Sequence, residues 1–323
     1  MKRSTLLASA HILDQIAGDP EWLPHPVRLI GAAIDCGGRA LHCPEHSAAM
    51  QLGSGALLAA TIVIGSYCIT AQFIRSSYRW SELVGNTVEL ALGWTCIAAS
   101  NLEQETTAVA NALACGDLPL ARRRLARIVG RDTADLDSSE ISRAVIETSA
   151  ESASDGVIAP LFFMALGGVP LAMAYKAVNT LDSMIGHTDA HNFYFGKAAA
   201  RLDDAANYLP ARLTALAIVA ASRIAGEGDA EAAWRIWRRD GGKHKSPNAG
   251  QPEGAMSGAL HAQLGGDNRY DGELIPAQII GEEFSAPESK HAHKAIRITS
   301  MVALLGFGCF ALLAAAIESR RRR

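Results

Sequence analysis

Two long uncharged runs constrain this chain more than any other feature. Residues 53–73 (GSGALLAATIVIGSYCITAQF) and 298–317 (ITSMVALLGFGCFALLAAAI) are each long enough for a helix to cross roughly 30 Å of hydrocarbon. Composition agrees, since 49% of the 323 residues are hydrophobic and the mean hydropathy is +0.10. The apolar residues are gathered into blocks. The expected fold class is therefore all-α: a multi-pass integral membrane protein, in one domain, with polar helical loops and a broken membrane helix near the site.

Three further stretches extend this pattern. Residues 156–175 (GVIAPLFFMALGGVPLAMAY) carry no charge, but Pro160, Gly167, Gly168 and Pro170 interrupt the hydrogen-bond ladder. Freed backbone at membrane depth survives only where protein or a polar cavity covers it, so this broken segment is expected to wall a site. Residues 84–102 contain Glu89, and 208–224 need Tyr208, Arg212 and Arg223 to reach span length; both are weaker spans. The polar loops are then 103–155, 176–207 and 225–297. Residues 6–16 are apolar but short and contain Asp14, which suits an interfacial or re-entrant helix rather than a removable signal peptide.

Six scattered cysteines without a CxxC argue against a disulfide framework or zinc knuckle. The net charge of −3 gives no footprint for nucleic acid. Arg122 to Arg124 read as the solvated face of a helix, and Arg320 to Arg323 as a positive-inside anchor. Residues 118–129 read as a helix closed by Gly130, and Asp137 with Glu140 forms a capping-box pattern opening a helix over 138–152. No internal repeat and no alternating strand pattern is present.

The chemistry-bearing residues fall into three groups. Glu147 and Glu151 are four apart on one helical face, and Asp155 continues the row. Such a row is either a solvated face or a place for a cation or arginine, and its position at the mouth of an apolar segment favours the latter. A second group holds Lys176, Asn179 and Asp182, then Asp203 with Asn207 and Asp204 with Tyr208, each four apart, before Pro210, which stops or kinks the helix. Arg201 and Arg212 could hold a phosphate or carboxylate, with salt bridging among these same charges as the competing reading. A third group, Lys243, His244, Lys245, Ser246 and Asn248, offers donors suited to phosphate in a Gly- and Pro-rich loop, without a Walker A spacing. Asp19 and His25 flank a proline-rich turn. His187 with His191 and His291 with His293 lack an HExxH frame, and no GxSxG is present, so neither a transition-metal site nor a serine nucleophile is expected.

Taken together, several motifs in order closely resemble the adenosylcobinamide-phosphate synthase family of cobalamin biosynthesis, the CobD/CbiB proteins, over nearly the whole chain. They are DQIAGDPEWLPHPVRLIG, VGRDTADLD, ETSAESASDGVIAPLFF, NTLDSMIG, FGKAAARLDDAANYLPARLTA and SPNAGQPEGAMSGAL. The chain departs at Gln251, where the family usually has Trp, and at Ser152 and Ala153, where it usually has Asn-Thr; both bear on substrate fit.

The resemblance implies a multi-pass cell-membrane enzyme, embedded in the lipid bilayer. Its reaction joins an amino alcohol, usually aminopropanol phosphate, to the carboxylate of adenosylcobyric acid, with ATP and magnesium. Under it Glu147, Glu151 and Asp155 hold magnesium or orient an ammonium, and Asp203 or Asp204 acts as second metal ligand or base. Arg201, Arg212, Lys243 and Lys245 grip phosphates, and Asn179 and Asp182 meet corrinoid amides. Asp19, His25, Asn207, His244, Ser246, Asn248 and Glu253 are further substrate contacts. A homo-oligomer or a complex with neighbouring cobalamin-pathway enzymes is compatible with it. The alternative is a corrinoid-binding membrane transporter or carrier without ligase activity, which inverted repeats would favour. Loop arginines and lysines and the need for ATP place 225–297 in the cytoplasm, against the vote of the tail.

Overall fold

The computed structural model describes residues 1–19, 25–186 and 193–321. The pair His187 and His191, the middle of the proline-rich turn and the last two arginines lie outside the described residues. Helix α1 (Arg3–Ala17) precedes α2 (Pro26–Leu41), which starts where His25 Nδ1 accepts the Val27 N–H at 3.3 Å and Pro26 fills the first helical position. α3 (Ala48–Trp80) and α4 (Glu82–Trp94) meet at Ser81, which ends one helix and caps the next by accepting the Val84 N–H at 3.1 Å. Then come α5 (Ala99–Ala114), α6 (Leu118–Leu125) and α7 (Ser138–Ala153), the last opened by the expected Asp137–Glu140 capping box. A π-helical turn (Ser154–Ile158) leads into α8 (Ala159–Gly167) and α9 (Val169–Ile185). α10 (Lys197–Ile224), α11 (Ala230–Asp240), α12 (Gly250–Leu260) and α13 (Ser289–Arg321) complete the helices.

The chain is predominantly helical, as expected, with several differences of detail. Among the described residues two helices, α3 and α13, are long and apolar enough to cross a membrane, and only 22% and 28% of their apolar windows are buried. A core helix of a soluble domain would be mostly covered. Residues 84–102 form no single helix: α4 ends at Trp94, a tight turn places the Ile97 N–H on the Trp94 carbonyl at 3.0 Å, and polar α5 follows. Residues 156–175 do not make one kinked span either. The chain breaks at Gly168 (φ 75°), a conformation that suits glycine, and α8 and α9 pack against one another across it. α6 stops at Leu125 rather than at 129, because the following turn brings Ile128 and Val129 onto the apolar cluster beneath. Pro210, expected to stop or kink its helix, lies inside a continuous α10.

Four short strands also escape the sequence reading. β1 (Leu264–Gly265) pairs antiparallel with β4 (Ile279–Ile280), and β2 (Asn268–Tyr270) with β3 (Glu273–Ile275). At two or three residues each, none can show an alternating pattern. Their signal is the Asp271-Gly272 pair, whose φ values of 50° and 80° fit a two-residue hairpin turn.

Two compact units result. The first comprises Met1–Ala98, Ala159–Asn207 and Phe307–Arg323. In it α9 is central, packed by α2, α3 and α8, and the carbonyls freed at the Gly168 break are covered by Arg3, whose guanidinium donates to Leu166 O at 2.6 Å. The second comprises Ala99–Ile158 and Tyr208–Gly306. Its apolar core includes Val109, Leu113, Leu125, Ile141, Val145 and Ile296, and α11 and α12 pack backbone to backbone along the stripe Gly250, Gly254 and Gly258. A Cβ at Gly254 would lie 3.2 Å from the Trp237 Cα, and one at Gly258 would strike the Ala232 carbonyl.

Candidate functional site

Each unit holds polar clusters built from the residues singled out above. In the first, α9 presents Tyr175, Lys176, Asn179 and Asp182 within two turns, and the start of α10 supplies Asp203, Asp204 and Asn207. Tyr175 donates its hydroxyl to Asn207 Oδ1 at 2.8 Å, and Asn207 Nδ2 donates to Asp203 Oδ2 at 3.0 Å. This buried relay fixes the carboxylate, whose Oδ1 is buried and makes no hydrogen bond within 3.5 Å. Burial raises the Asp203 carboxyl to about 7, with the Asp182 charge as the next cause and Asn207 pulling the other way. Arg201 is an exposed partner of Asp204, at 3.2 Å on the same helix, which is the salt bridge the competing reading described.

The same unit carries a basic side. His25 Nε2 lies 3.6 Å from Asp19. Burial lowers the imidazole from its usual range, and Lys176 and Arg28 push the same way against Asp19. Both cations therefore act on the space around His25, and Lys176 sits on α9 two turns before Asp182.

In the second unit the acidic row meets arginine. Arg131 Nη2 lies 2.5 Å from Glu147 Oε2, and both side chains are nearly buried. The other Glu147 oxygen accepts the Gly265 N–H at 2.8 Å. Arg143 donates to the Gly265 carbonyl and to Asn268 Oδ1, so α7 clamps the β1–β2 segment. Glu253, buried on α12, is raised well above the ordinary glutamate range by burial and then by Glu147 and Glu151, with Arg131 and Arg143 opposing. Among the described residues no three His, Cys, Asp or Glu side chains form a group that could hold a metal ion. Of the Glu147, Glu151 and Asp155 row, Glu147 is engaged by Arg131 and by the Gly265 backbone.

Much of the loop expected to grip phosphate is structural. Lys243 pairs at 3.0 Å with Asp240, a fully buried carboxylate. Burial opposes that charge, but Arg239, the Gly281 N–H and Lys243 outweigh it and hold the carboxyl well below its usual range. Ser246 Oγ accepts the Asn248 and Ala249 N–H groups, and His244 Nδ1 accepts that of Ser246. These bonds order the entrance of α12. Gln251 joins them, accepting from Trp237 Nε1 at 2.9 Å and donating to Gly241 O at 2.8 Å. Arg212 stacks on Tyr208, 3.6 Å from its centroid, and reaches Asn248 Oδ1 at 3.4 Å. Lys245 is exposed. Sequence reasoning missed Arg131, Arg143, Asp240 and Tyr175; a cation or arginine among the acidic row was expected over a solvated face, but nothing in the spacing named which arginine.

Comparison with known proteins agrees with this arrangement of motifs. Residues 7–299 match the family model described as CobD/Cbib protein. A Geobacter metallireducens protein named "Cobalamin biosynthesis protein CobD" is 44% identical over 316 residues, covering 97% of this chain and 95% of the relative. Proteins of the same name from Pelobacter propionicus (44% over 313 residues, 96% of each chain) and Klebsiella pneumoniae (41% over 310 residues, 95% of this chain and 96% of the relative) are similarly close. No solved structure matches. With a family match over almost its whole length and relatives above 40% identity end to end, the chain belongs to the CobD/Cbib family.

Proposed function

We propose that this protein acts in cobalamin biosynthesis as an ATP-dependent ligase. It joins the free carboxylate of adenosylcobyric acid to the amine of an amino alcohol, and the family assignment supports the pathway. A carboxylate does not condense with an amine in water until one oxygen becomes a leaving group. In this reading the carboxylate oxygen attacks the γ-phosphorus of ATP and ADP departs. The amine then attacks the resulting acyl phosphate, the C–N bond forms, and inorganic phosphate leaves.

The observation that carries the reading is Asp203. An amine arrives at neutral pH as an ammonium ion and must lose a proton before it can attack. A buried carboxyl titrating near 7, with one oxygen lacking a hydrogen bond and Asp182 adding negative charge, suits both binding that ammonium and accepting its proton. Lys176 and Arg28 supply the opposite sign within the same unit, around a neutral His25. A ligand with an ammonium at one end and a phosphate at the other matches this polarity, which favours the phosphorylated amino alcohol. Magnesium belongs to this reading as the companion of the ATP phosphates, since Glu147 is already engaged by Arg131 and backbone. Lys245 is available to phosphate, whereas Lys243 is held by Asp240.

The test compares aminopropanol phosphate with aminopropanol. Asp203→Asn is expected to cut turnover at least about a hundredfold with either amine, whereas Lys176→Met is expected to raise KM for the phosphorylated amine only. Normal turnover of Asp203→Asn would remove its role, and equal KM changes for the two amines would remove that of Lys176.

A further inference from the structure

The second unit carries a cationic belt whose height on α13 can be read from side-chain bonds. His293 and Ser300 of α13 reach Asn111 and Glu103 of α5, at 3.2 and 2.9 Å, so the two helices run antiparallel in register. α6 follows α5 after a short turn and packs back along it. Its far end is fixed by Arg127, which pairs at 2.8 Å with Glu105, two residues from the partner of Ser300. Arg297, the last charge of α13 before the uncharged run, pairs at 2.6 Å with Glu227 at the foot of α10. The end of α6 therefore stands at the level where α13 becomes apolar.

Arg123 and Arg124 occupy that end and are exposed. Among the described residues neither makes an ion pair, whereas Arg122 donates to Leu136 O at 2.8 Å and Arg127 and Arg297 hold glutamates. Arginine in a last turn also complements the helix dipole, but that requires neither exposure nor this height. From the register and charge we propose that Arg123 and Arg124 bind the anionic phosphate headgroups of the bilayer that α13 enters. The proposal rests on α13 being a membrane helix. Anionic lipid near a basic side chain gains about fivefold in local preference per charge.

The test reconstitutes the full chain in phosphatidylcholine bilayers containing trace spin-labelled phosphatidylglycerol or phosphatidylcholine, and measures the motionally restricted fraction of each. The wild type should restrict phosphatidylglycerol preferentially, Arg123→Gln/Arg124→Gln should lose most of that preference, and Arg123→Lys/Arg124→Lys should keep it. The packing face of α6, through Ala121 and Leu125, is untouched by these changes. An unchanged preference in the glutamine variant, or none in the wild type, overturns the proposal. Restriction of neither lipid would instead remove the membrane reading on which it rests.

Discussion

If Asp203 is the proposed base, it couples catalysis to stability with opposite signs. Its folded pKa of about 7 lies above the ordinary aspartate value of 3.8, so between these values the folded state binds the extra proton. Stability from this group is then present at low pH and lost as pH rises towards 7. Activity should rise over the upper part of the same window, because a base must be deprotonated. Asp203→Asn is accordingly expected to raise stability at pH 8 by roughly 1–3 kcal/mol while abolishing the pH-dependent rise in turnover; denaturant titration at pH 5 and 8 checks it. The Arg131–Glu147 pair behaves differently, since removing one partner leaves a buried charge. Arg131→Met should destabilise by about 3–5 kcal/mol, and Arg131→Met/Glu147→Gln should recover much of that; the same titrations decide. The i,i+4 relation of Asp203 and Asn207 was legible because local spacing fixes it. Arg131, 16 positions before Glu147, and Tyr175, 32 before Asn207, were not, because tertiary packing alone brings them there.

At the scale of elements, the glycines of α12 are the sharpest case. A methyl group at Gly258 would collide with the α11 backbone and one at Gly250 with the Gly241 carbonyl just past it, while at Gly254 it would be tightly packed against Trp237. Gly258→Ala should cost about 1–3 kcal/mol through overpacking, while alanine at Gly242, which has open space around it, should change the melting temperature little. Helix starts were readable where a side chain makes the cap, as at Asp137. Ends were less so: α6 stops early because tertiary contacts take its last residues, and the strands are too short for periodicity. The proline and glycine pattern over 156–175 marked the break correctly but not that α8 and α9 would pack together, since local sequence does not specify where a broken helix points next.

For the whole molecule, α3 and α13 are the two helices among the described residues long and apolar enough to cross a bilayer. Lys290, Lys294 and Arg297 at the Ser289 end of α13, with the proposed use of ATP, favour the cytoplasmic side for that end against the vote of Arg320 to Arg323. Cys115 is exposed in the second unit, so a variant keeping it as the sole cysteine should react with an impermeant maleimide in inverted membrane vesicles and resist it in right-side-out ones; the reverse pattern would invert this topology. The most direct measurement is the reaction itself: purified protein with adenosylcobyric acid, ATP, magnesium and aminopropanol phosphate, followed by the mass of the corrinoid. The expected result is a gain equal to the amine minus water, absent without ATP and formed at least about a hundredfold more slowly with Asp203→Asn. Corrinoid binding with no mass gain under any of these conditions would contradict the ligase and leave a carrier.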